Sequence, residues 1–297
     1  IVCAARRELY ERRPGWGAGQ RNAQTIDLSP LSEEETAELV SHLTRTAVLG
    51  PALGRAIVER AEGNPLYAEE FVRLVADRRL EHADGPLEPT LPDSVHALIA
   101  ARLDTLSPDR KALLQDAAVV GKVFWVGALH EIGGRDPEDT EVALHELVRR
   151  ELVRPVRTSS MEGEREYSFW HQLVRDVAYS QIPRSERVRR HQVAAAWIER
   201  KGGERVEDFA EVLAHHYLQA LELAAALEGA RTAGGDVAML VERAEQALHR
   251  AGLRAIRLSA NERAVEYFSH AIALAGRLPE GDERRRTEAE LQLQLGV

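Results

Sequence analysis

The chain has 297 residues, enough for two or three domains, with 44% hydrophobic residues but only 5% aromatics. Its formal charge of −9 argues against general nucleic-acid binding, because phosphate contacts supply most of that affinity. A single cysteine, Cys3, excludes an internal disulfide, and no apolar run reaches the roughly 18 residues a membrane-spanning helix needs.

In chain order, Ile1-Val2-Cys3-Ala4-Ala5 is a short apolar run that predicts a buried strand, followed by Arg6-Arg7. Residues 14–24 carry three glycines and read as loop, and Thr25-Ile26-Asp27-Leu28 as a second short strand. Ser32 with Glu35 three residues on is a capping box that opens a helix with the stripe Leu39, Val40 and Leu43. A second helix is expected over residues 51–62, ending at Gly63. Asn64 then caps a third, with Pro65 at its first position, where the missing N–H costs nothing. Leu66, Tyr67, Phe71, Leu74 and Val75 give that helix its buried face, and residues 82–90 read as a polar linker.

Helices are expected over residues 93–106, 109–120, 126–132 and 139–151. Two strand-like runs, 152–156 and 166–170, flank the polar stretch 157–165 and predict a hairpin. Several helices followed by one hairpin is the order of a winged helix. A helix follows over residues 171–182, ended by Pro183, and another over 185–201 before Gly202-Gly203. The remainder from Val206 is helical. There Leu248, Ala251, Gly252, Ala264, Phe268 and Ala271 follow the small–large pattern of a tetratricopeptide repeat. Leu295-Gly296 would restart that pattern only after a longer interval than the usual ~34 residues.

Two segments draw attention as chemistry. Gly63-Asn64-Pro65-Leu66 has a complete structural explanation in a helix stop and a helix start. In Trp170-His171-Gln172-Leu173-Val174-Arg175-Asp176 a histidine sits where a strand gives way to a helix, and a helix N-terminus suits phosphate. Together the two segments, with Leu91-Pro92-Asp93-Ser94-Val95 and Leu103-Asp104-Thr105-Leu106-Ser107, resemble the STAND class of signal-transduction ATPases. The similarity is to the bacterial type found in LuxR-family regulators and beside class III nucleotide cyclases, and it extends over nearly the whole chain.

That resemblance implies a mainly α-helical chain in four parts. Residues 1–28 would end an α/β ATPase core, 29–90 form a helical lid, 91–202 a winged helix with one β-hairpin, and 203–297 tetratricopeptide-like repeats. It also implies ATP or ADP, with Mg²⁺ in the parent protein, as the cofactor. Pro65, with Gly63, Asn64 and Leu66, would lie near the adenine, and His171 would contact the β-phosphate of ADP, although Trp170 and Gln172 depart from the family's usual Met and Asp. Arg6 or Arg7 would be the sensor arginine. The implied partners are an ATPase core and an output domain outside this chain, a protein on the repeats, and further copies of the protein on nucleotide exchange. A cytoplasmic regulator of transcription or a cyclase-linked protein is the expected setting.

No Gly-x-x-x-x-Gly-Lys-Ser/Thr occurs, and no strand ends in paired acids for Mg²⁺, so the chain by itself is not expected to turn over ATP. The sequence, lacking an initiator Met and ending within a helical pattern, reads as an interior piece of a longer protein. A non-catalytic helical-repeat scaffold is the alternative reading. A DNA-binding winged helix is weaker still, because the hairpin carries Glu162, Glu164 and Glu166. The run Arg184, Arg187, Arg189 and Arg190 reads as a helix face, and the adjacent His215-His216 as a poor metal pair, because neighbours on a helix diverge by about 100°.

Overall fold

The computed structural model describes residues 2–5, 8–16, 22, 24–44, 51–81, 94–228, 234–278 and 281–296. Arg6, Arg7, the expected linker 82–90 and the motif residues 91–93 lie outside the described residues. The chain is mainly helical with one small antiparallel sheet, and divides into two units, Ile1–Val72 and Arg73–Val297.

The first unit holds α1 (Glu8–Arg12), α2 (Glu33–Leu43), α3 (Pro51–Ala61) and the first turns of α4 (Pro65–Glu81). The capping box forms as read: Ser32 Oγ accepts from the Glu35 N–H at 3.1 Å, and the Ser32 N–H donates to the Glu35 carboxylate at 2.8 Å. Val40, Ile57, Ala61, Tyr67, Ala68 and Phe71 are buried. Residues 2–5 and 24–28, expected as strands, are instead irregular and exposed, Val2 at 99% and Leu28 at 90%. β-Branching supplies propensity only; a strand needs a neighbour for its ladder, and neither segment has one among the described residues.

The second unit continues α4 and adds α5 (Val95–Asp104), α6 (Pro108–Val120), β1 (Val123–Trp125), α7 (Val126–Gly133), α8 (Pro137–Arg149), β2 (Val153–Pro155) and β3 (Glu166–Phe169). The sheet order is β1-β3-β2, all antiparallel, with Phe124 opposite Tyr167 and Arg154 opposite Ser168. Helix, strand, two helices and a hairpin closing on that first strand is the winged-helix order. β3 is central and buried along its whole length, so the polar Glu166 and Ser168 that alternate with Tyr167 and Phe169 are buried as well. β1 was not expected; three residues carry little local signal, and their pairing with β3 across more than forty positions defines them.

Next come α9 (Gln172–Ser180), α10 (Arg184–Gly202), a 3₁₀ turn (Gly203–Phe209), α11 (Ala210–Glu228), α12 (Gly234–Arg257), α13 (Asn261–Ala275) and α14 (Asp282–Leu295). Helices α12 and α13 form a hairpin whose close approach depends on Gly252: a Cβ there would lie 2.6 Å from the Phe268 ring. Leu248, Ala251, Ala264, Phe268 and Ala271 are buried along the same seam. Gly296 caps α14 in the left-handed conformation. One hydrophobic core runs without a break from Ile99 on α5 to Leu291 on α14. No described helix is long and apolar enough to cross a membrane.

Candidate functional site

In the first unit, Gly63, Asn64, Pro65 and Leu66 form one tight connection. Gly63 has φ +74°, and its C=O accepts from the Leu31 N–H at 2.9 Å. A Cβ at Gly63 would fall 2.3 Å from the Leu31 carbonyl oxygen, so backbone approaches backbone where only glycine fits. Asn64 Oδ1 accepts from the N–H groups of Leu66 and Tyr67 at 3.0 and 3.3 Å, and Pro65 is exposed at the first helical position. These contacts account for the segment as a helix stop and start, and leave the Pro65 ring on the surface.

In the second unit, His171 is the N-cap residue of α9, in an extended conformation, and its side chain makes no capping bond. The ring turns instead toward α4: Arg73 Nη1 lies 3.4 Å from His171 Nε2. A guanidinium can only donate, so in this pairing Nε2 is the acceptor and the imidazole carries its proton on Nδ1. Arg73 is 12% exposed and also donates through Nε to Glu151 at 2.6 Å. Glu151 itself sits at φ +54°, two residues before the strand β2 begins. Trp170 lies between two guanidinium groups, Arg73 and Arg154, at 5.7 and 5.8 Å from its ring centre. The result is a cluster of Arg73, Arg154, Trp170 and His171, with the Glu151 carboxylate paired to Arg73.

Deeper in the same unit, Arg102 and Asp77 form a buried pair at 2.9 Å, 1% and 6% exposed, and Arg102 Nη2 also donates to the Arg150 carbonyl at 2.6 Å. This ties the second half of α4 to α5 and to the end of α8. Arg73 and Asp77 stand four residues apart on α4, so one helix carries both the cluster and its anchor.

α9 leads from His171 to a second polar chain. Tyr179 Oη is 2.9 Å from His191 Nε2, and His191 Nδ1 is 2.9 Å from His216 Nδ1. Burial, with Arg175 and His215 nearby, pushes His191 down to about 3, and burial with His191 beside it holds His216 well below the ordinary histidine range. Both rings are therefore neutral. With Tyr179 donating to Nε2 of His191, the Nδ1–H of His191 donates to His216. His216 Nε2 is left buried without a hydrogen-bond partner. The guanidinium groups of Arg175 and Arg187 lie 5.0 and 4.5 Å from the Tyr179 ring centre.

Of the residues singled out by sequence, the structure keeps Gly63, Asn64, Pro65 and Leu66 together in the first unit and sets His171 in the second. Arg6 and Arg7 lie outside the described residues. The basic run on α10 is largely engaged internally: Arg187 donates to the Ile182 and Ser180 carbonyls, and Arg190 pairs with Asp116 at 3.0 Å. Among the hairpin acids, Glu166 is buried and accepts from Trp125 Nε1 and the Ser160 N–H, and Glu164 pairs with Lys201 at 2.8 Å. Sequence reasoning missed Arg73, Glu151, Arg154 and the Tyr179–His191–His216 chain. Arg73 had a signal, since a charge within Phe71-Val72-Arg73-Leu74-Val75 interrupts a buried apolar run. The histidine chain had none. Its members come from three helices. No protein-family model matches the chain, and no curated protein does.

Proposed function

We propose that this chain is the nucleotide-responsive relay of a signalling ATPase: lid, winged helix and first helical repeats acting with a phosphate-binding core that the chain itself does not encode. The observation that carries the reading is the placement of His171 at the start of α9 with the Arg73 guanidinium beside it. Phosphate is recognised by groups of this kind: a helix N-terminus, a fork-shaped cation and an imidazole N–H, here Nδ1–H, since Nε2 accepts from Arg73. ADP and ATP are the cofactors the resemblance implies, and this cluster fits a phosphate of either. Here Arg73 and His171 would hold a terminal phosphate oxygen, and Trp170 would offer an aromatic face.

Glu151 makes the arrangement switch-like. It already holds Arg73, so a phosphate has to compete with a carboxylate 2.6 Å away. A nucleotide that wins releases Glu151, next to β2, and bears on the sheet. Differential affinity for the two nucleotides then sets the direction of change, since a ligand shifts an equilibrium only by that difference. The repeats beyond α10 would pass the change to a protein partner or a further copy, in a cytoplasmic regulator of transcription or of a cyclase. Turnover belongs to the core, so the purified 297-residue chain is expected to hydrolyse no ATP above background.

The test is made on the longer reading frame. Sequence upstream of Ile1 encoding a Gly-rich phosphate loop and an acidic strand end supports the relay. An upstream region without either, or a clear turnover rate from the 297-residue chain, overturns it in favour of a repeat scaffold that binds partners without nucleotide.

A further inference from the structure

One acid interrupts the apolar seam of the α12–α13 hairpin. Gly252 of α12 meets the Phe268 ring of α13, and Val241, Glu245 and Leu248 stand on the same face of α12. All three are buried, Glu245 to 5% exposure. Glu245 lies about two turns before Gly252. In an antiparallel hairpin that position falls toward the end of α13, where Ala271 and Ala275 are fully buried and the chain turns back into α14. α14 packs along α13 and buries Leu291 in the core that α12 and α13 share.

Glu245 finds nothing in this seam to satisfy a charge. Its Oε1 is buried with no hydrogen-bond partner, and the side chain makes no ion pair among the described residues. From α13 the seam presents Phe268, Ala271 and Ala275, none with a polar side chain. The charged groups that bear on it are Glu242 on its own helix and Glu290 on α14, both acids, and each raises the cost of a further negative charge. His249, one turn on along α12, lies against the Phe268 ring at 5.9 Å, and its Nε2 is likewise buried without a partner. Burial, then Glu242 and Glu290, push the Glu245 carboxyl up to about 7.

A buried carboxyl without a donor costs little when neutral and much when ionised. Its charge reaches water only if a neighbouring helix gives way. The helix held least is α14, because α13 is the single element along which it packs extensively among the described residues. We infer that Glu245 is a proton-operated latch on α14: with the proton on, the helix stays docked on the α12–α13 hairpin, and with the proton off it loosens and uncovers the end of the repeats. The proton passes to solvent, so the device needs no co-reactant. With α14 released, Glu245 returns toward the ordinary glutamate value of 4.5. Docking is therefore strongest below that value, weakens as pH rises from there, and has lost the whole contribution above about 7. The inference does not depend on the nucleotide reading.

The experiment is amide hydrogen exchange read by mass spectrometry on the full 297-residue chain, between about pH 5.5 and pH 7.5, with each rate corrected for the intrinsic pH dependence of exchange. Protection of residues 282–295 should fall about tenfold over that range, while α12 and α13 change less than about twofold. Glu245→Gln, neutral throughout, should hold α14 protection level across the range and above the native value at the upper end. Glu245→Leu should do the same, which keeps the test valid if the Gln amide disturbs the seam. Native protection that does not change with pH, an equal fall in both variants, or a fall spread evenly over α12, α13 and α14 overturns the inference. The last of these would mark a general loss of stability rather than a latch.

Discussion

The His171 cluster and the His191–His216 chain are joined by the nine residues of α9, yet they use the same side chain in opposite ways. His171 stands at the helix start, half-buried beside Arg73 and next to the half-buried Trp170, where a ligand can reach it. His191 and His216 are fully buried, bonded ring to ring, and held neutral by the apolar core. The difference is one of access and compensation: polar groups meant to exchange partners stay at a surface with a replaceable counterion. Those that fix the packing of α9, α10 and α11 are sealed with each other.

The contrast is broken most severely at the anchor below the cluster. Arg102→Ala takes from buried Asp77 its partner at 2.9 Å, with Arg150 remaining at 3.9 Å, and should cost about 3 kcal/mol by urea unfolding. The same truncation at Arg154, which is exposed and sits on the Trp170 face, should cost no more than about 1 kcal/mol. Equal losses at the two positions would erase the distinction between anchor and surface cluster.

The sealed histidines give a pH signature. Both fold with pKa values below the unfolded value near 6.5, so the unfolded chain binds more protons as pH falls below it, down to about 3 for His191 and well below the ordinary range for His216. Stability should therefore fall as pH drops through that window, by up to about 1.4 kcal/mol per pH unit for each ring. Glu245 works the other way, because burial and the neighbouring Glu242 push it up to about 7, which favours the folded state as pH falls. The measurement is accordingly a difference: urea midpoints at pH 7 and pH 5 for the native chain against His191→Leu with His216→Leu. The double variant should show a smaller loss on acidification. An identical loss would mean the rings charge as freely folded as unfolded.

At the helical hairpin, Gly252→Ala drives a methyl into the Phe268 ring and should cost about 1–3 kcal/mol, read as a lowered melting temperature. Ala273→Gly, on the same hairpin but away from that seam, should cost about 1 kcal/mol through helix propensity alone.

Much of this contrast was legible beforehand. The capping box at Ser32, the Asn64 cap with Pro65, the helices of the second unit and the hairpin from Val153 to Phe169 follow from local chemistry and were readable to within a few residues. The mainly helical class with one small sheet follows from the same patterns. What failed was the non-local part. The runs at Ile1 and Thr25 resemble strands in composition, but strand formation depends on a neighbour. β1 was invisible because its identity comes from β3. At the candidate site, His171 was found by motif and the strand-to-helix change, whereas its companions were not: Arg73 arrives from ninety-eight positions away, and Glu151 and Arg154 flank a strand edge whose partner had to be known first.

The most direct test of the relay is ADP and ATP affinity, measured by calorimetry on this chain together with the phosphate-binding core that the proposal requires, for the native form, His171→Ala and Arg73→Lys. The account predicts that His171→Ala weakens ADP by about tenfold, or roughly 1.4 kcal/mol, and ATP by less, with Arg73→Lys shifting the ratio in the same direction. Unchanged affinity for both nucleotides in both variants would contradict it and leave the cluster as packing alone.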